Sequence, residues 1–354
     1  MSERSKTRRD FLKPTRSDDD HCVDPAGVPV GGHTVRVATR AMACEFSVIM
    51  NPGSHDHVST VGDVLEMVHE IEGWLSVYKP NSEISHINRL AATEPVRLRP
   101  DLYELLKTAR QLHQQTNGAF DIAAGAQIQL WRDCRAEQRI PTAEELDTVL
   151  SRSGSHHLDL DDEASTVAFD TNGLQLDPGA IGKGFALDEA AAWLRKTEDG
   201  PQSFLVHGGH SSLVARGQHN GKTGWPVGIG NPLFTKKRLG TVLLRDQAMS
   251  TSGSNIQFFR HEGRRYGHIL DPRTATPVEG MLSVTVLADS AATADALSTA
   301  FFVLGVENAR IVCDNLSNVG AILVPFPESG KRVSPTIIGV PFDQIFWEKD
   351  QVTV

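Results

Sequence analysis

Asp295 and Thr299 stand four residues apart within an apolar run from Ala291 to Leu304. On a helix, positions i and i+4 share one strip of surface, so a carboxylate and a hydroxyl would project side by side. Mg²⁺ takes hard oxygen ligands and keeps water or substrate phosphate in its other positions. The pair, next to an apolar face of Ala294, Leu297, Phe301 and Leu304, therefore has the chemistry of half a metal site. It is also compatible with ordinary polar decoration of a helix. A second candidate is the glycine-rich run Asp177-Pro178-Gly179-Ala180-Ile181-Gly182-Lys183-Gly184 between a strand and a helix. Backbone N–H groups and the helix dipole attract phosphate there, although a tight structural turn reads the same way. It is not a Walker A loop, because its first glycine is too close and Gly184 stands where Ser or Thr is required. Gly228-Ile229-Gly230 is not a dinucleotide fingerprint either, since Leu233 replaces the third glycine.

Two histidine contexts complete the set. His268 leaves a short strand and enters the turn Leu270-Asp271-Pro272-Arg273-Thr274, where it can be a general base, a phosphate contact or a plain surface histidine. His207-Gly208-Gly209-His210 has a metal-pair spacing but no evident third ligand.

The elements that must position these groups follow from periodicity. Residues 34–39 and 44–50 alternate like two strands around a short turn. Val61, Val64, Leu65, Val68, Ile71 and Trp74 recur at three and four, which predicts a helix over 58–74. Another is predicted over 100–115, with Pro100 at its start and Gly118 closing it. Residues 167–170 and 174–177 flank Asn172-Gly173, a hairpin signal. Strands are expected near 204–206, 227–229, 241–244 and 282–287, and helices over 184–194 and 291–304. Strands and helices mix without strict alternation. That predicts an α+β domain of mixed sheets flanked by helices, not a doubly wound parallel sheet. The expected division is a polar tail over 1–32, one catalytic domain over 33–345 and a C-terminal tail over 346–354.

Composition narrows the classes. The 354 residues carry 35 basic and 44 acidic side chains, a formal charge of −9 that repels a phosphate backbone and argues against nucleic-acid binding. Cys22, Cys44, Cys134 and Cys313 are scattered, without zinc-ligand spacing. Residues 7–13 look like a twin-arginine export signal, but Pro14 to Asp20 follow where an apolar region is needed. Cytoplasmic residence is the expectation, with twin-arginine export the alternative. No run of eighteen apolar residues predicts a membrane span.

Taken in order, the segments resemble the ApbE family, the FAD:protein FMN transferases. The resemblance runs from about Met42 to Leu304 and is carried by Leu75 to Ser85, Gly118-Ala119-Phe120-Asp121, Leu176 to Gly184 and Val206 to Gly209. It continues through Thr251-Ser252-Gly253, His268 to Thr274 and Ala294 to Thr299. It implies two packed lobes with an FAD cleft between them. It further implies that Asp295, Thr299 and the carbonyl of Ala180 hold Mg²⁺, and that Met42, Tyr78, Ala119, Phe120, Asp121, Asp177, Lys183 and Leu270 line the cleft. In that setting FAD is a substrate, and its FMN half passes to a Ser or Thr of an acceptor protein with release of AMP. Lys183 can help neutralise phosphate, His268 can take the hydroxyl proton and Asp271 can orient it. The alternatives are a Mg²⁺-dependent FAD pyrophosphatase using water, and an inactive flavin-binding protein. The sequence departs from the family pattern at Cys44, His210 and Asn255-Ile256, and at Ala275, where a glycine ordinarily ends the turn. Lys183 is one of several residues found at its position.

Overall fold

The computed structural model describes residues 33–352 except 235, 255–257, 328–329, 331 and 349. The twin-arginine-like run, Cys22 and Asn255-Ile256 lie outside the described residues. The central element is an eight-stranded antiparallel sheet of β1 (Val35–Ala41), β2 (Cys44–Met50), β3 (Phe204–Gly208), β4 (Ser212–Arg216), β5 (Ala248–Gly253), β6 (Met281–Ala288), β7 (Gly320–Pro325) and β8 (Thr336–Ile338). These strands lie side by side in the order in which they occur in the chain. The β1–β2 turn is made by Met42 and Ala43, both at positive φ, +48° and +58°. This is the geometry that Asn-Gly adopts without cost and that other residues adopt under strain.

Helices α1 (His55–Leu75), α2 (Glu83–Leu90), α3 (Pro100–Gln115), α4 (Gly125–Ala136), α5 (Ala143–Leu150), α6 (Gly182–Lys196) and α7 (Ala291–Asp314) complete the framework. Their starts follow capping chemistry. Ser54, Ser82 and Ser290 accept backbone N–H bonds at α1, α2 and α7, and Thr142 with Glu145 forms a capping box at α5. One apolar cluster joins the helical face of the sheet (Phe46, Val206, Val284) to α1, α6 and α7, and continues through Leu102 and Phe120 to the strands Leu158–Asp161 and Thr166–Phe169. The opposite face of the sheet packs on Trp225–Gly230, Arg238–Leu244 and Ile345–Trp347, around Leu239, Val242 and Ile322.

Two expectations change, the hairpin at Asn172-Gly173 and the boundary at 345. Residues 166–169 do not pair with 174–177 across Asn172-Gly173. They pair with 158–161 on one side and Val96–Arg97 on the other. The backbone of Leu176 is instead clamped by Asn88, and Asp177 N–H donates to Ile122. The helix over 291–304 is correct to its last residue, where Gly305 (φ +71°) breaks the helical path before a further segment runs to Asp314. The boundary expected at 345 falls inside a strand, because Ile345–Trp347 pairs with residues 240–242 and Val352 bridges to Val333. Among the described residues, α7 has the length and apolarity to cross a membrane, but half of that stretch is buried, and it packs on β5 and β6 with Asp295 inside.

Candidate active site

Asp295 is 4% exposed, and its carboxylate is met on every side. Ser212 Oγ (3.1 Å) and Ser250 Oγ (2.9 Å) donate to Oδ1, while Lys183 Nζ (3.3 Å) and Gly184 N–H (3.2 Å) reach Oδ2. The two serines are paired neighbours on β4 and β5, which puts both hydroxyls under α7. One turn along α7, Thr299 Oγ1 lies 3.1 Å from Ser252 Oγ, which also contacts Ser298 Oγ at 2.8 Å. Burying a carboxylate is costly unless hydrogen bonds and a counter-charge replace its water, and this cluster supplies both.

The junction of α6 and α7 fixes that arrangement. A Cβ on Gly184 would lie 2.1 Å from the carbonyl oxygen of Ala291, so only glycine permits the two backbones to approach this closely. One turn later Asp188 caps α7 from outside it. Its carboxylate accepts from Ala291 N–H (2.8 Å), Ala292 N–H (2.9 Å) and Ser290 Oγ (2.8 Å). Burial nonetheless pushes its pKa up, against those three hydrogen bonds. Ala180 ends the short 3₁₀ turn Pro178–Ala180 immediately before α6, and that turn packs against α7.

These donors fit Mg²⁺. A carboxylate, a hydroxyl and a carbonyl are hard oxygen ligands, and the Lys183 ammonium on Oδ2 shows that the corner accommodates positive charge. Among the described residues no group of three or more His, Cys, Asp and Glu side chains is placed to hold a metal. His207 and His210 form a ring pair 6.4 Å apart. Burial, aided by His210 and Arg36, lowers the pKa of His207 to about 4. Cys44 borders the same corner, with Gly209 packed against its side chain; burial raises its thiol pKa while Lys183 pulls it down.

A second corner surrounds Tyr78, which is 71% exposed. The Arg132 guanidinium lies 5.0 Å from its ring centroid and donates to its hydroxyl at 2.7 Å. Tyr78, Arg132, Asn88, Gln129, Gln175 and Asp177 line a cavity of about 380 Å³. Burial raises the pKa of Asp177, opposed by a hydrogen bond from Gly179 N–H and by the charge of Arg132. A smaller hollow against α5, lined by Glu144, Glu145 and Arg152, gathers none of the expected residues.

The remaining expected residues are spread over both the interior and the rim. Ala119 and Phe120 are buried, as is Leu270 at 8% exposure. Asp121 turns inward, accepting from Ala123 N–H, Ser155 N–H and Ser155 Oγ, with His113 Nδ1 at 3.0 Å. Burial raises its pKa, but His113 and the Ser155 and Ala123 bonds outweigh it, and the net shift is downward. Met42 is half-buried in its strained turn. His268 is exposed, just beyond the hairpin Phe258–His261 and Arg264–Gly267. Both oxygens of Asp271 are engaged by Arg273, at 2.8 Å each, so this carboxylate closes its own turn.

Helix α4, which has no counterpart in the expected elements, joins these pieces. Gly125 N–H donates to Gln175, Gln127 to the carbonyl of Pro272, Trp131 Nε1 to the carbonyl of Ala275 and Arg132 to Tyr78. Ser212, Ser250, Ser252, Asp188 and Arg132 were likewise missed. The hydroxyl runs Ser211-Ser212 and Ser250-Thr251-Ser252 are the trace the serines leave in the sequence.

A model of the ApbE family matches residues 41–323. An FAD:protein FMN transferase of Vibrio cholerae is 29% identical over 296 residues, covering 82% of this chain and 87% of the relative. One of Treponema pallidum is 32% identical over 302 residues, covering 81% and 82%. Among solved structures, the ApbE protein of Thermotoga maritima aligns with a TM-score of 0.75 at 29% identity, covering 82% of this chain and 94% of its own. The flavin transferase ApbE from Vibrio cholerae aligns at 0.75 and 26%, covering 86% and 97%.

Proposed function

The chain belongs to the ApbE family, and we propose that it is an FAD:protein FMN transferase that uses Mg²⁺ and esterifies a Ser or Thr hydroxyl of an acceptor protein. The observation that carries this reading is the buried Asp295, facing Lys183 where the glycine-rich turn meets α7. Asp295, Thr299 Oγ1 and the Ala180 carbonyl are the groups that would hold the cation. Once bound, Mg²⁺ neutralises pyrophosphate charge and stabilises the departing phosphate.

The chain's own groups account for the rest. Lys183 and the positive end of the α6 dipole attract the pyrophosphate to this corner. The acceptor hydroxyl attacks the phosphorus on the FMN side, forming the phosphoester bond as the bridging P–O bond breaks, and AMP leaves with the bridging oxygen. The hydroxyl proton passes to the imidazole of His268. A base that serves a macromolecular nucleophile has to be reachable from outside, and His268 is exposed. Ser212 and Ser250 hold Asp295 in place and touch no reacting atom in this scheme.

The test is incubation with FAD, with and without Mg²⁺, alone and with a Ser/Thr-bearing acceptor domain, following AMP and acceptor mass. Expected is Mg²⁺-dependent addition of an FMN mass, reduced at least about 100-fold in Asp295→Asn. AMP release that leaves every acceptor unmodified would make water the acceptor and overturn the transferase reading. Bound FAD without AMP would identify an inactive binder.

A further inference from the structure

Arg132 has no role in the chemistry derived so far, yet it is placed as a ligand-gripping residue. It sits on α4, which is pinned at four points: Gly125 to Gln175, Gln127 to Pro272, Trp131 to Ala275, and Trp131 against Phe259 and Tyr266 with ring centroids 6.2 and 5.8 Å away. Gln129, one turn earlier, accepts from Arg132 Nη1 at 3.2 Å. The guanidinium is therefore held from below and presents its plane and its second nitrogen to Tyr78. Asp177 lines the same 380 Å³ cavity, within reach of the charge of Arg132. An exposed aromatic face, a fixed fork of N–H donors and a half-buried carboxylate acceptor together match a planar nitrogen heterocycle, which has a π-face for stacking and donors and acceptors around its edge.

We infer that Arg132 is a substrate-binding, specificity-determining residue, gripping one planar heterocycle of the dinucleotide between Tyr78 and Asp177. This rests on the reading of FAD as substrate. Both halves of FAD carry such a ring, the isoalloxazine and the adenine, and the cavity chemistry is shared between them. Lysine cannot replace arginine in this role, because a point charge offers neither the stacking plane nor the fixed fork.

The experiment measures binding of FAD, FMN and AMP to the wild type, Arg132→Ala and Arg132→Lys by calorimetry, with thermal melting to confirm folding. Expected is FAD weakened about tenfold in both variants, the size of one stacked and hydrogen-bonded cation. The loss should be confined to one fragment: weakened FMN with unchanged AMP assigns the flavin ring, and the converse assigns adenine. Unchanged FAD affinity overturns the inference. So does equal weakening of FMN and AMP, which would make Arg132 a general phosphate attractor. If Arg132→Ala fails to fold, Arg132→Lys alone decides, since wild-type affinity in that variant is incompatible with a requirement for the planar fork. A wild type that binds no FAD would overturn the functional reading and this inference together, whereas a wild type that binds FAD beside indifferent variants overturns this inference alone.

Discussion

Asp295 and Tyr78 anchor the two corners described above, and they are held in opposite ways. Asp295 is sealed in by donors from β4, β5 and α6, elements whose mutual spacing is set by the sheet and by the contact of Gly184 with Ala291. Tyr78 lies in a loop open to solvent, and Arg132 donates to its hydroxyl. A buried charge is stable only if its surroundings are fully satisfied, so its position is over-determined. An exposed ring needs little support, and it can adjust to what it binds. The Asp295 corner is built for fixed geometry and the Tyr78 corner for adaptable contact.

The contrast is broken most severely at Gly184. Gly184→Ala should push α7 away from α6, costing about 1–3 kcal/mol of stability and nearly all Mg²⁺-dependent activity; melting and AMP release read both. Asp188→Asn removes one acceptor from the α7 cap and should cost about 1 kcal/mol. Because α7 then loses its register on α6, Mg²⁺ affinity should fall while FAD binding without metal persists. Equal loss of both would show that the corners are not separately built.

His113 tests the interior around Asp121. Its pKa is raised, first by its hydrogen bond to Asp121, with burial opposing. That stabilisation is fully present below the unfolded value of about 6.5 and is lost as pH rises through the higher folded value. His113→Gln should therefore destabilise by about 1–2 kcal/mol at pH 6 and by less at pH 9, measured by denaturant melts at each pH. A difference that grew with pH would refute the assignment. The smallest effect is expected at Ala275, which has φ +53° where the family ordinarily has glycine. Ala275→Gly should stabilise by up to about 1 kcal/mol, with activity unchanged.

What the sequence made legible follows the same division. The i, i+4 pair on α7 and the glycine-rich turn before α6 are local patterns, and local periodicity and turn chemistry suffice to place them. The serines around Asp295 come from strands whose pairing is a tertiary fact, since Ser212 and Ser250 are 38 residues apart and meet only through sheet register. Helix α4 escaped because its buried side includes Gly125, Gln127 and Cys134, giving it no apolar stripe. The Asn172-Gly173 signal misled because the partner strand's hydrogen bonds are taken by Asn88 and Ile122, both distant in sequence. Asp271 is held by Arg273 two residues later, an ion pair within its own turn that local sequence did not signal.

The strand order of the main sheet has a consequence for synthesis. Because β1 to β8 lie side by side in chain order, each strand emerging from the ribosome finds its partner already made. The long excursions between β2 and β3, β4 and β5, and β5 and β6 can fold as side branches while the growing edge waits. The growing edge stays exposed until β8 arrives, so stalled chains ending near residue 300 should be the aggregation-prone ones, displaying a completed Asp295 corner on an unfinished sheet.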